Sequence, residues 1–274
     1  MMQGVSRESY RTAAERLDSF AASAPAADVA KTGDELLMVA DVLRGQPRLR
    51  RALSDPGRAG DDRAELFRSL LTGKVSDETL ELAAILAGGR WSAASELLDA
   101  AERMGVEALL ASADRAGDLA EVEDELFRFG QVVDGSPALS GALSDVVAPP
   151  AQRAELVKTL LEGKAKPATL KLVEVALGGF GGRSFQTGLT RMVEMSAERR
   201  DRQVAFVTVA APLSDDEERR LGTKLSQLYG RDVTVKQTVD PQVLGGMSVL
   251  VGSDLYDGTV LRRLNDTRKA LSQR

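Results

Sequence analysis

Gly73-Lys74-Val75-Ser76 sets glycine, lysine and a hydroxyl in the order used by phosphate-cradling loops. A working loop of that type needs glycine at the first position of GxxxxGK[ST] and a hydroxyl directly after the lysine, where it can hold magnesium. Arg68 and Val75 occupy those places. Gly73 and Gly163 read instead as left-handed caps that end helices. The glycine pairs at 88–89, 178–179, 181–182 and 245–246 nowhere make GxGxxG between a strand and a helix, so dinucleotide binding has no support. Asp215, Asp216, Glu217 and Glu218 could ligate a cation, but in the first turn of a helix these carboxylates serve the exposed N–H groups, and no metal site is assigned. The chain has no histidine and no cysteine. That removes the usual general base, the commonest zinc ligands and all disulfides. No Gly-x-Ser-x-Gly elbow is present. An enzyme built from carboxylates and lysine would need a polar cleft with strongly perturbed acids. The residue types argue against an enzyme and for a binding or scaffold role without a cofactor.

The elements that carry these residues are duplicated. Aligned without a gap at an offset of ninety, residues 34–89 and 124–179 share 24 identities in 56 positions. They include the quartets ALSD and RAEL, Pro47/Pro137, Gly73-Lys74/Gly163-Lys164 and Gly88-Gly89/Gly178-Gly179. A repeat of this strength fixes the number of structural units. The expected division is a helical unit over 1–100, a second over 101–202, and a different module over 203–274.

In the first unit, Tyr10, Ala13, Ala14, Leu17 and Phe20 recur at helical spacing and predict a helix over about 8–21, closed by the loop SAPAAD. Thr32 with Glu35 has capping-box spacing ahead of Leu36, Val39, Ala40 and Leu43, and Gly45 with Pro47 stops that helix. A short turn comes next, then a helix capped by Asp62 and Glu65, and another opened by Ser76. Between 92 and 112 the one breaker is Gly105, so the last helix of the first unit is expected to run into the first of the second. The second unit repeats the order. It opens on six carboxylates and one arginine between Asp114 and Glu125, Pro167 takes a first-turn position, and GGFGGR loosens its last connection.

Near Gln203 the period changes to alternation. Val204–Val209 predicts a strand, Ser214 with Glu217 a capped helix ending at Gly230, Val233, Val235 and Val239 a second strand, and 247–251 a third. Asp257-Gly258 predicts a turn, and Val260, Leu261, Leu264 and Leu271 a closing helix. The order β-α-β-β-α makes a small α+β module. The fold class is mostly α: two repeated six-helix-type bundle units followed by this module.

At 43% apolar and 4% aromatic residues, the cores must be built from Leu, Ala and Val, which suits helices. A net charge of −5 gives no long-range field for nucleic acid. The segment from Thr259 holds Arg262, Arg263, Arg268, Lys269 and Arg274 against Asp266 alone, read as a solvated helix face whose cations complement the dipole. The N-terminal segment has no apolar h-region, and no run approaches the roughly 18 apolar residues of a membrane span. A cytoplasmic chain without membrane insertion is expected.

One stretch is specific. Asp240-Pro241-Gln242-Val243-Leu244-Gly245-Gly246, a strand to Gly252, then Asp257-Gly258-Thr259-Val260 and a basic helix resembles the signature of the ATP synthase delta subunit, or oligomycin-sensitivity-conferring protein, family. AAPLSDDEERRL resembles that family's strand-to-helix passage, and ALSD, RAEL, LLTGK and Thr79-Leu80 resemble the later helices of its six-helix N-terminal domain. The likeness covers essentially the whole chain, with the helical domain doubled as in enlarged bacterial forms. It implies a non-catalytic stator component on the cytoplasmic face of the cell membrane, peripheral through its complex. The helical domain would bind N-terminal helices of the alpha subunits, and the C-terminal module the end of the peripheral stalk's b subunit. In the family the alpha-subunit helix lies between the first and fifth helices. That implies Tyr10, Ala14, Leu17 and Leu80 in the first unit, and Leu109, Leu110 and Leu170 in the second. A generic α-helical adaptor of an unrelated complex also explains the repeat, but leaves the C-terminal signature unexplained.

Overall fold

A computed structural model describes residues 4–145, 147–260 and 262. Two compact units result: one spans Met1–Leu126 and Ser136–Met192, the other Phe127–Gly135 and Val193–Arg274.

The first unit opens with α1 (Gly4–Ser23) and α2 (Ala26–Gly45), then α3 (Pro47–Leu53), α4 (Gly60–Leu71), α5 (Asp77–Gly88) and α6 (Ala94–Ala116). Buried positions on α1 are Ser6, Tyr10, Ala13, Leu17 and Ala21, one stripe at helical period. Tyr10, Ala13 and Leu17 join Leu36, Leu43, Phe67, Leu82, Leu86 and Met104 in one core, while Ala21 packs with Ala24, Val29 and Ala111. Both expected helix boundaries at the first loop move into the loop and shorten it. α1 is longer at each end, and only Ala24 and Pro25 separate it from α2.

The same order recurs as α7 (Leu119–Asp134), α8 (Pro137–Ser144), α9 (Pro150–Leu161), α10 (Pro167–Leu177), a 3-10 turn (Phe180–Gly182) and α11 (Phe185–Arg199). Subtracting ninety maps α7 to α10 onto α2 to α5. It also maps the beginning of α6 onto α1. α6 is therefore at once the sixth helix of the first copy and the first helix of the second, 23 residues without a break. Gly105, the one breaker in the sequence pattern, sits inside it. There α6 crosses α2: a Cβ on Gly33 would lie 3.1 Å from the Gly105 carbonyl oxygen, and one on Gly105 would lie 2.7 Å from Leu37. The missing side chains let the two backbones meet.

In the other unit, β1 (Arg202–Val209), α12 (Asp215–Tyr229), β2 (Asp232–Val239), β3 (Met247–Val251) and β4 (Asp254–Asp257) form a sheet of order β2-β1-β3-β4, with β1/β2 parallel and the other pairs antiparallel. β4 is an addition to the expected strands, short and exposed. Ala205, Val207, Val209, Val249 and Val251 pack under Leu225 of α12. Phe206 meets Phe127 of α7 with ring centroids 6.2 Å apart, so β1 is apolar toward both sides. Of the expected closing helix, Val260 and Arg262 are helical, whereas Leu261, Leu264, Leu271 and the basic residues beyond Arg262 lie outside the described residues.

Candidate docking faces

Identical residues in the two copies do identical local work, which separates architecture from sites. Glu35 lies inside α2, where it takes the Ser76 N–H at 2.9 Å, the Ser76 hydroxyl at 2.6 Å and the Thr79 hydroxyl at 2.6 Å. It caps the start of α5 across the core instead of closing a box with Thr32. Burial pushes its pKa up, but the hydrogen bonds from Ser76 and Thr79 outweigh that and hold the carboxyl below its ordinary value. Glu125 repeats the device on α10, accepting from the Lys166 N–H at 2.9 Å and the Thr169 hydroxyl.

The RAEL arginines are the second device. Arg63, 3% exposed, donates to the carbonyls of Asp55 (3.0 Å), Gly88 (3.0 Å) and Gly89 (2.9 Å), closing the C-terminal end of α5. Arg153 does the same with Leu143 and Leu177. In the ALSD quartets, Leu53 and Leu143 are fully buried, while Asp55 and Asp145 accept the N–H two residues on, at 2.9 and 2.8 Å. Gly73 and Gly163 adopt φ of 74° and 72° past α4 and α9, so the GK motif is helix punctuation. The expected cap by Asp62 and Glu65 is absent: α4 begins at Gly60, and Asp62 sits in its first turn.

The positions implied for an alpha-subunit helix fall on α1, α5, the shared helix and α10. Tyr10 and Leu17 are buried in the first copy's core, with Ala14 and Leu80 packed against the same cluster. Arg103 stacks over the Tyr10 ring at 4.7 Å, and burial, then the neighbouring Glu107 carboxylate, push the phenol's pKa well up. Leu109 and Leu110 are buried on α6, with Leu109 directed at Gly33 of α2. Leu170 on α10 is half-buried.

Where the copies join, Glu102 of α6 accepts from Arg44 of α2 at 2.5 Å and from the Gly181 N–H at 2.7 Å. Burial keeps its pKa above the ordinary carboxylate value despite those donors. Lys171 of α10 pairs with Asp34 of α2 beside it. A cavity of about 380 Å³ lies here, between α2 and α10.

In the C-terminal module the signature residues converge. The Asp240 N–H reaches the Val209 carbonyl at 2.8 Å, and the Asp240 carboxylate takes the Gln242 N–H at 2.9 Å, turning the chain at Pro241. Gly245 and Gly246 have φ of 107° and 80°, and a Cβ on Gly246 would stand 2.4 Å from the Gly258 carbonyl oxygen. The Val260 N–H donates to Gly245 at 3.0 Å and the Gly258 N–H to Met247 at 2.9 Å. The Thr259 hydroxyl and N–H bind Asp257, the hydroxyl foremost in lowering its pKa. Asp240, Pro241, Gly245, Gly246, Asp257 and Gly258 thus lock the loop before β3 to the turn over 257–260. The Ser214/Glu217 capping box forms as expected, and the acids beside it stay in the first turn of α12. No cluster of metal-ligating residues occurs among the described residues.

This lock, in the order read from the sequence, coincides with the result of comparison with known proteins. The model of the ATP synthase delta (OSCP) subunit family matches residues 106–271. Along the whole chain and the whole relative, 66% of 274 residues are identical to the ATP synthase subunit delta of Salinispora arenicola. The Streptomyces griseus subunit delta is 42% identical over 271 residues, covering 99% of this chain and 100% of that one. The chain belongs to the ATP synthase delta (OSCP) subunit family. The family model starts inside α6, so α1 to α5 precede the matched region, while the full-length relatives include them.

Sequence reasoning missed Arg63 and Arg153, though RAEL repeats in both copies, and missed Gly33, which has no counterpart in the second copy. It also missed the tie from α7 to the sheet: the Gln131 amide donates to the Gln237 carbonyl at 2.8 Å, and Lys236 lies over the Phe127 ring at 5.8 Å. No periodic signal announces a side chain that reaches another element. No helix among the described residues is long and apolar enough to cross a membrane.

Proposed function

We propose that this chain is the non-catalytic stator subunit that joins N-terminal helices of the alpha subunits to the C-terminal segment of the b subunit, on the cytoplasmic face of the membrane. It then holds the catalytic head while the rotor turns. In this reading 1–100, 101–202 and 203–274 act as three functional modules, the last receiving the b subunit around the locked 240–260 loop. Family membership supports a place in the ATP synthase.

The observation that carries the docking assignment is the burial of α6. As the first helix of the second copy it should border the alpha-subunit groove. Yet Leu97, Ala100, Ala101, Met104, Ala108, Leu109 and Leu110 are all buried, because the same helix is the first copy's sixth. α1 carries one buried stripe and keeps its other faces open beside α5. The alpha-subunit helix therefore docks on the first copy, across α1 and α5.

Ile85 and Val175 are half-buried repeat equivalents on α5 and α10. With the full chain and an alpha-subunit N-terminal peptide in calorimetry, Ile85→Glu weakens binding at least about tenfold, or 1.4 kcal/mol, and Val175→Glu does not. The reverse pattern would move the site to the second copy. No change in either variant would end the groove assignment. Failure of the full chain to retain the b subunit's C-terminal segment in a pull-down would remove the stator reading itself.

A further inference from the structure

One region of the first copy carries charges that the second copy lacks, and it takes no part in the proposed docking. Two cavities of about 660 and 520 Å³ share Ser54, Pro56, Arg58, Trp91 and Ser92, and form one trough between the α3–α4 loop and the turn from α5 into α6. Arg63 and Arg90 line one part and Arg51 the other, with Arg58 common to both; the sole acid among the described lining residues is Asp55, whose carboxylate accepts the Gly57 N–H. Arg51, Arg58 and Arg90 are exposed. Arg63 is buried, and its Nε has no hydrogen-bond partner. The N-terminal ends of α4 and α6 both open onto the trough, and neither Ala59 nor Ala93 can cap them with a side chain. The repeat makes the concentration of charge specific. Arg51, Arg58 and Arg90 correspond to Gly141, Ala148 and Phe180, although the whole chain carries −5.

We infer that this trough is a docking site for an acidic, extended segment of a partner protein, held by arginine–carboxylate pairs with Trp91 as its floor. Its length favours a chain of carboxylates over one small anion, since the cations are distributed along both cavities. Guanidinium groups suit bidentate pairing with successive carboxylates. The inference is independent of the groove across α1 and α5, and survives if that assignment fails.

Trp91 is the chain's one tryptophan, so intrinsic fluorescence reports on the trough directly. A capped hexaglutamate peptide titrated into the full-length protein should change that fluorescence saturably, with a matching calorimetric heat, and more weakly as salt rises. The triple substitution Arg51→Gln, Arg58→Gln and Arg90→Gln removes exposed groups, and should weaken binding at least about tenfold while leaving the thermal midpoint unchanged. A control triple, Arg115→Gln, Arg219→Gln and Arg220→Gln, should bind within about twofold of the parent. Equal loss in both triples, or no heat and no fluorescence change with the parent, would overturn the proposal. So would saturation of the same signal by inorganic phosphate at or below the peptide concentration, which would mark a small-anion pocket.

Discussion

At position 42 the first copy has a valine 44% exposed, and at 132 the second has one 58% exposed; at 43 and 133 both have a buried apolar residue. Interior and exterior positions of the second helix match in this way, yet the outward faces serve different neighbours. On α7, Phe127 and Gln131 engage the sheet of the α+β module. Their equivalents on α2, Leu37 and Asp41, border the cavity beside α10 of the second copy, next to the Asp34–Lys171 pair. Each copy thus uses the same helix face to receive its C-terminal neighbour in the chain. Duplication kept the internal fasteners, Glu35/Glu125 and Arg63/Arg153, and let the receiving surfaces diverge.

The sharpest break of that comparison is at the crossing the copies do not share. Gly33 and Gly105 correspond to Glu123 and Met195, so the second copy carries side chains where the first brings two backbones together. Gly105→Leu must push α2 off α6 and should cost about 3 kcal/mol from overpacking. Because α6 belongs to both copies, circular dichroism should show one transition at lower temperature. Two separated transitions would show that the copies are independent.

Next come the capping glutamates. Glu35→Ala strands three donors and should cost about 3 kcal/mol; Glu125→Ala strands two and should cost about 2 kcal/mol by chemical denaturation. The pH dependence of the first is fixed in sign. Glu35's folded pKa lies below its unfolded value, so its contribution is complete above the ordinary carboxylate range and fades as pH falls through the depressed folded pKa. The stability gap between parent and Glu35→Ala should therefore close in acid.

The smallest effect belongs to the joint. Glu102's folded pKa is raised, so the parent gains stability as pH falls through that value toward the unfolded one, and Glu102→Gln should flatten this slope while staying within about 1 kcal/mol of the parent at neutral pH. A steeper slope in the variant would show that the Arg44 and Gly181 contacts dominate the burial of the charge.

Much of the fold was legible because its punctuation is local. The glycine caps at 73 and 163, Pro167, the Ser214 box and the alternation of β2 are each decided within a few residues. Thr32 and Glu35 misled for the same reason. Their spacing suits a cap, but the donors to Glu35, which are Ser76 and Thr79, lie more than forty residues away at the start of another helix, and only the folded core reveals which groups the carboxylate serves. β4 escaped notice because DLYD is short and exposed. The trough was illegible because its arginines are scattered from Arg51 to Arg90 and meet only where two connections pass each other. Leu109 and Leu110, marked for docking by the family resemblance, are buried on α6, and a helix counted twice has no spare face to show.

The shared helix also bears on force. At 1.5 Å per residue its 23 residues make a rod about 35 Å long that is packed into the first copy's core and, through Glu102, tied to Gly181 of the second. Bending one copy against the other means breaking main-chain hydrogen bonds in the middle of that rod, not flexing a linker. Under the proposed stator role, this unbroken helix makes the junction of the two copies a stiff segment, not a flexible linker.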